Sequence, residues 1–273
     1  MSKGAITVVI NTLNEASNIA KCIGSIKGFA DEILICDMHS TDDTVRIAED
    51  LGARVIFHEK TEYVEPARYF AVNAARSEWV LILDADEQLT SGIKAKLKEA
   101  VADGKADLVR MGKLYYYFTK YIRHGGFYNE NYPLMFRKEL FIKNYSHKNA
   151  KIFKGFTHLT DNAKEIRHID KSFFILHDAY PTIEKYVVKT EGKYAFIEAE
   201  NMHREGSKFR FFMLLFDPLK TFVKKYILQR GFMEGTNGFI LCVLYSSYRF
   251  NVWANLWMLE KQNVIAKYPL SEN

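Results

Sequence analysis

Two hydrophobic periods take turns along the first half of the chain. Apolar runs of strand length fall at 5–12, 32–37, 54–58, 79–83 and 107–114, and the run 79–83 (Trp79-Val80-Leu81-Ile82-Leu83) has no polar break at all. Between them the spacing becomes helical, with Ile19, Ile23 and Ile26 on one face of a helix expected over 17–26. Further helices are expected from a Ser40 or Thr41 cap to Leu51, with Asp42 and Asp43 in the first turn, and over 66–75 and 91–101. A short strand over 172–176 comes later. Strand and helix in alternation predict an α/β fold, a mostly parallel sheet with helices on both faces.

The polar residues gather where such a sheet binds ligands. Asn11-Thr12-Leu13-Asn14-Glu15, Asp37-Met38-His39-Ser40-Thr41-Asp42 and Asp84-Ala85-Asp86-Glu87 each follow a strand. Ligands of open α/β sheets lie outside the carboxyl ends of the strands. Any one cluster is ordinary turn chemistry, but three on one edge point to a site. On an extended segment Asp84 and Asp86 project the same way and can share a divalent cation, Mg²⁺ or Mn²⁺, together with substrate phosphates. The plainer reading is an acidic loop opening a helix at Thr90 or Ser91. Neither G-x-G-x-x-G nor G-x-x-x-x-G-K-[ST] occurs, which removes the main support for a dinucleotide-binding enzyme or a P-loop NTPase.

Composition narrows the classes further. With 48% hydrophobic and 26% charged residues in 273, the chain is globular rather than disordered. Its net charge of +5 is concentrated: residues 203–230 hold seven Lys or Arg against Glu205 and Asp217. That pattern speaks against a general nucleic-acid binder and for one basic surface. Cys22, Cys36 and Cys242 are widely spaced and are expected as core thiols, without disulfide or zinc. Met1-Ser2-Lys3-Gly4 leads straight into a strand, which predicts a cytoplasmic protein.

The C-terminal third reads as helical. Leu219, Phe222, Val223, Tyr226 and Ile227 form a stripe on a helix that Pro218 can open, with Lys220, Lys224 and Lys225 off the stripe and Phe209, Phe211, Phe212 and Phe216 before it. This fits an interfacial helix on an anionic leaflet, or equally a helix packed on the rest of the fold. Residues 238–257 come nearest to a membrane span, but Arg249, Ser246, Ser247, Asn251 and Asn255 interrupt them, so a buried or interfacial helix is expected.

Four segments in order, V-V-I-N-T-L-N-E at 8–15, I-C-D-M-H-S-T-D-D-T at 35–44, A-R-Y-F-A-V-N-A-A at 67–75 and W-V-L-I-L-D-A-D-E at 79–87, resemble the family 2 glycosyltransferases of the GT-A fold. Within that family the chain is similar to bacterial lipopolysaccharide-core glucosyltransferases. Weaker likeness runs through Pro133–Lys138, His177–Tyr180 and Lys189 to Tyr194.

The resemblance implies a GT-A, Rossmann-like catalytic domain over 1–200 and a helical extension over 201–273. It implies inverting transfer of a hexose from a nucleotide diphosphate sugar, UDP-linked first among candidates, to a surface glycan or its lipid-linked precursor at the inner membrane face. Thr12, Asn14 and Glu15 would line the nucleoside pocket, and Asp37 would accept from base or ribose. Arg68 would face the diphosphate, the alternative being a plain surface arginine. Asp84 would touch ribose or metal, Asp86 would ligate the metal directly, and His177 would complete its shell or contact phosphate. Relatives carry Val-His-Glu in the second half, its glutamate an attractive base; this chain reads Thr157-His158-Leu159. Asp161 would then serve as base with His158 contacting acceptor, or His158 would act itself, or activity would be lost. A polyprenyl-phosphate sugar synthase and a non-catalytic nucleotide-sugar or glycan binder are the alternative functions.

Overall fold

Strand β1 (Ile6–Thr12) is buried along its whole length, with helices on both of its faces. Val8 and Ile10 look into one layer, among Ile19, Ile23 and Ile26 of α1 (Ile19–Ile26) and Ile93 and Leu97 of α4 (Ser91–Asp103). Val9 looks into the other, among Ala67, Ala71 and Val72 of α3 (Glu65–Ala74) and Phe141 of α5 (Lys138–Asn144). The two-residue period of the strand thus divides one apolar run between two cores. Each fully buried Ile or Leu contributes roughly 1.5–3 kcal/mol. The computed structural model describes residues 4–61, 64–144, 163–170 and 172–267.

The parallel part of the sheet is β3 (Arg54–Phe57), β2 (Glu32–Asp37), β1 and β4 (Trp79–Asp84), in that spatial order. Antiparallel β8 (Asn129–Arg137) follows β4, then β6 (Leu108–Tyr117), β10 (Phe174–Tyr180) and β5 (Glu87–Leu89). Short β9 (Ile166–His168) and β7 (Lys120–Tyr121) pair with β6. The expected strands and helices of the first half are all present, and the three cysteines are buried and free.

Two boundaries differ from expectation for a visible reason. Helix α2 (Thr44–Asp50) begins after Asp43, because Ser40 and Thr41 are drawn into bonds with neighbouring loops. Strand β10 extends past residue 176, so His177 lies within it rather than after it. Its antiparallel partner β5 supplies the pairing, His177 opposite Glu87.

By compactness the chain divides into Met1–Leu114 with Asn129–His177, and Tyr115–Tyr128 with Asp178–Asn273. This is a division by packing, and the functional boundary expected near residue 200 stays a proposal. The second unit is mostly helical. A helical run over 183–204 (α6) has a π-widened middle, Val187–Tyr194; a second run over 213–228 (α7) widens likewise at Val223–Leu228; α8 (Gly235–Lys267) is the longest. Helix α8 buries Leu241, Tyr248, Val252, Trp253 and Leu256 at helical spacing, as a packed helix does. Pro218 sits inside α7 instead of opening it, since the helix has already started at Met213. No helix among the described residues is long and apolar enough to cross a membrane.

Candidate functional site

The carboxyl ends of β1, β2 and β4 are level with one another, with Thr12 opposite Asp37 and Asn11 opposite Asp84. Asp37 is fully buried and its oxygens are taken locally: Thr12 Oγ1 donates to Oδ1 at 2.7 Å, and Ser40 donates through its backbone N to Oδ2 at 2.7 Å and its hydroxyl to Oδ1 at 2.6 Å. Asn14, at φ +58°, adopts the left-handed conformation that Asn tolerates better than most residues. From there its N–H donates to Ser40 Oγ at 2.8 Å and its Oδ1 accepts the Thr41 N–H at 2.8 Å. The Glu15 N–H donates to Thr44 Oγ1 at 2.8 Å, and the Glu15 carboxylate accepts from the Asn18 amide at 2.7 Å. The loops after β1 and β2 are therefore stitched into one wall. Thr12, Asn14, Glu15 and Asp37 come together here, with Thr12 and Asp37 in the buried floor of the wall and Asn14 on its exposed rim.

The acidic motif after β4 folds differently from the extended reading. Ala85 and Asp86 form a turn between β4 and β5, which breaks the two-residue alternation on which a shared cation rested. Asp84 turns to Arg68, whose Nη2 donates to Oδ1 at 2.6 Å. Asp86 turns to His177, with Oδ1 3.2 Å from Nε2. Burial by itself would raise the Asp84 carboxyl, but the charges of Arg68, Lys113 and His177 hold it well below the usual carboxylate range. Burial disfavours charge on His177 too, yet its hydrogen bond to Asp86 and the nearby Glu87 and Asp86 carboxylates push its pKa above the ordinary value.

Two residues to which the sequence assigns no role, Glu87 and Lys113, underpin this turn. Glu87 Oε2 accepts the Asp84 N–H at 3.0 Å, while Oε1 lies 3.4 Å from His177 Nδ1 and pairs with the Lys113 ammonium. Burial pushes the Glu87 carboxyl upward, against the pull of Lys113. The available signal was a lysine inside the otherwise apolar β6 segment Met111-Gly112-Lys113-Leu114, since an unpaired lysine does not enter a core. Glu65, also buried, lies 4.0 Å from Arg68 Nη1.

Among the described residues no three His, Cys, Asp or Glu side chains gather into a metal cage. Asp86 and His177 lie at hydrogen-bond distance, and with the imidazole neutral the same two atoms could serve as adjacent ligands of an octahedral cation. Ligands about 2.1 Å from Mg²⁺ and at right angles are about 3.0 Å apart, and this pair is separated by 3.2 Å. Such an ion keeps its other positions for water and substrate phosphate. His158 and Asp161, with Thr157 and Leu159, lie outside the described residues.

Comparisons with known proteins agree with this layout. Residues 7–161 match the profile of Glycosyl transferase family 2. An "Uncharacterized glycosyltransferase" of Rickettsia felis is 30% identical, the alignment covering 96% of this chain and 93% of the relative. The lipopolysaccharide core biosynthesis glycosyltransferase LpsC of Rhizobium meliloti is 26% identical over 92% of each chain. Among solved structures, S. aureus TarS 1-349 in complex with UDP-GlcNAc superposes with a TM-score of 0.53 at 15% identity, over 97% of this chain and 93% of that one. The fold is the expected GT-A arrangement, a mixed α/β sheet flanked by helices with further helices at the C-terminus. On the profile match and the full-length relative together, this chain belongs to glycosyltransferase family 2.

Proposed function

We propose that the chain is an inverting hexosyltransferase that draws on a nucleotide diphosphate sugar, UDP-linked, and glycosylates a bacterial surface glycan: lipopolysaccharide core, capsule or a lipid-linked precursor. The likeness to LpsC supports the acceptor class, and the fold shared with the UDP-GlcNAc complex of TarS supports the donor. The observation that carries the reading is the Asp86–His177 pair at the end of β4, beside the Arg68–Asp84 pair and the stitched wall of Thr12, Asn14, Glu15 and Asp37.

In this reading the nucleoside lies against the β1 and β2 loops. Glu15 and Asn14 meet it at the rim, and Thr12 and Asp37 shape the floor. A direct bond from Asp37 to base or ribose requires the buried carboxylate to become reachable, Oδ2 having a lone pair beyond the one that takes the Ser40 N–H. Arg68 faces the diphosphate while Asp84 fixes its fork, or Asp84 turns to the ribose. Asp86 and His177 would hold Mg²⁺ or Mn²⁺, which would offset charge on the departing diphosphate. The acceptor hydroxyl attacks the anomeric carbon as the bond to the diphosphate oxygen breaks, and Asp161 takes the hydroxyl proton with His158 contacting the acceptor. The enzyme works in the cytoplasm, on the inner face of the membrane.

The test is binding and turnover of UDP-, GDP- and dTDP-sugars by the full chain, with and without Mn²⁺, for wild type, Asp86→Ala and Asp161→Ala. Metal-dependent transfer into acceptor extract, abolished by Asp86→Ala, is expected. Asp161→Ala should bind donor but fail to turn it over. Transfer to a polyprenyl phosphate alone would shift the assignment to a lipid-sugar synthase. Tight donor binding without transfer in any extract would assign a non-catalytic binder, and no donor binding with any metal would overturn the reading.

A further inference from the structure

The basic segment 203–230 folds into an apolar ridge beside a cationic cleft. Phe212, Leu215, Phe216, Leu219 and Val223 recur at helical spacing and all stay open to solvent, Leu215 at 69% and Leu219 at 65%. Nothing in α7 from Met213 to Leu228 is buried. Of the stripe read in the sequence, Phe222 and Tyr226 turn inward to the second unit's core, leaving Leu219, Val223 and Ile227 facing out. Contiguous exposure of this kind marks an interaction surface.

Next to the ridge lies a cleft of about 390 Å³ whose lining includes Lys220, Lys224, Lys225 and Arg249. Its acid, Asp217, is committed: it accepts from Arg249 Nε at 2.8 Å and from Trp253 Nε1 at 2.9 Å. Lys225 donates to the carbonyls of Gly125 and Gly126 at 3.2 Å each, with its ammonium 3.9 Å from the centre of the Phe127 ring. Lys220 and Lys224 are exposed on the same helix as the ridge. Large apolar side chains together with cations suit hydrocarbon below a layer of phosphates. A second copy of this chain suits the face poorly, because a two-fold contact would set these lysines against each other.

We propose that α7 and the adjoining cleft seat the chain on an anionic phospholipid bilayer, the ridge entering the acyl boundary and Lys220 and Lys224 meeting lipid phosphates. This deepens the proposed function and rests on it only in that a lipid-linked acceptor gives the surface its purpose.

The experiment is co-sedimentation of the full chain with phosphatidylcholine vesicles containing 0 or about 30% phosphatidylglycerol, at low and high salt, without donor. Wild type, Lys220→Glu/Lys224→Glu and Phe216→Glu/Leu219→Glu are compared, with circular dichroism as the check on folding and inorganic phosphate as a soluble competitor. Wild type should prefer the anionic vesicles and lose binding at high salt. Reversing the two charges should weaken it by at least roughly fivefold each, and the ridge variant should not bind. No vesicle binding, equal binding to neutral vesicles, or complete competition by millimolar phosphate would overturn the proposal. So would a wild-type dimer that the ridge variant dissociates, if neither binds vesicles. Donor binding is read on the same samples: vesicle binding without donor binding would sink the transferase reading and leave this surface standing, and the reverse result would do the opposite.

Discussion

Glu87 and Lys113 form an ion pair that solvent does not reach, their side chains 0% and 4% exposed. The same glutamate accepts the Asp84 N–H and stands beside His177, so a cation from β6 anchors the turn that presents Asp84 and Asp86. Lys113→Met alone strands a buried carboxylate and should cost about 3–5 kcal/mol, whereas Glu87→Gln with Lys113→Met should recover most of that. Equilibrium urea unfolding of the single and double variants measures both. A cost below about 1 kcal/mol for the single variant would mean that water reaches the pair.

Asp86 and His177 should act on turnover more than on donor affinity if both hold the cation at the leaving group. Asp86→Ala should lower kcat at saturating Mn²⁺ by about 100-fold or more, and His177→Ala by about 10–100-fold. Steady-state kinetics with each variant across a Mn²⁺ titration tests this. Loss of donor affinity with kcat unchanged would place the pair in binding instead.

Glu234 provides a pH dependence in the second unit. Burial acts to raise its carboxyl, but Lys120, the N–H groups of Arg123 and His124 and the His124 ring bring it down to about 2. Its folded value lies below the ordinary 4.5, so its contribution is complete above that pH and fades as the pH falls toward 2. The size is about 3 kcal/mol. Glu234→Gln should be less stable at pH 7 by that order and should converge with wild type near the acid end, as urea midpoints against pH would reveal. Parallel curves would exclude Glu234 as the source.

Gly238 is where α8 crosses the backbone of the preceding turn. A Cβ there would stand 2.1 Å from the Gly231 carbonyl oxygen, an approach that only backbone movement can relieve. Gly238→Ala should destabilise by about 1–3 kcal/mol. Gly24, inside α1 with nothing within 4 Å of an added Cβ, is the control; Gly24→Ala should stabilise by about 0.5–1 kcal/mol. Thermal melts of the two variants should move in opposite directions, and a melt for Gly238→Ala at or above wild type would contradict the close approach.

Much of the first unit was legible from local pattern. The runs at 6–12, 32–37 and 79–84 have little choice but to be interior strands, and the polar clusters after them mark the edge of the candidate site. The family resemblance points to His177, but not to its strand partner, because pairing with Glu87 spans ninety positions of sequence. Strand alternation predicts Asp84 and Asp86 as one ligand pair. The turn at 85–86 separates them, and a strand's alternation gives no warning of where it stops. In α7, the stripe spacing held while its direction split, since which residues of a stripe find a core depends on what lies opposite.

By itself the sequence determined the alternating α/β architecture, the edge that carries the polar clusters, the family and the concentration of positive charge at 203–230, all properties of residues near one another in the chain. Tertiary structure alone decided that Asp84 parts from Asp86 to pair with Arg68, that Lys113 holds Glu87 beneath the turn, that Ser40 and Thr12 occupy Asp37, and that the basic segment leaves its apolar ridge in solvent. Each of these outcomes is a contact between distant segments, fixed by strand register and by the cost of burying an unpaired charge.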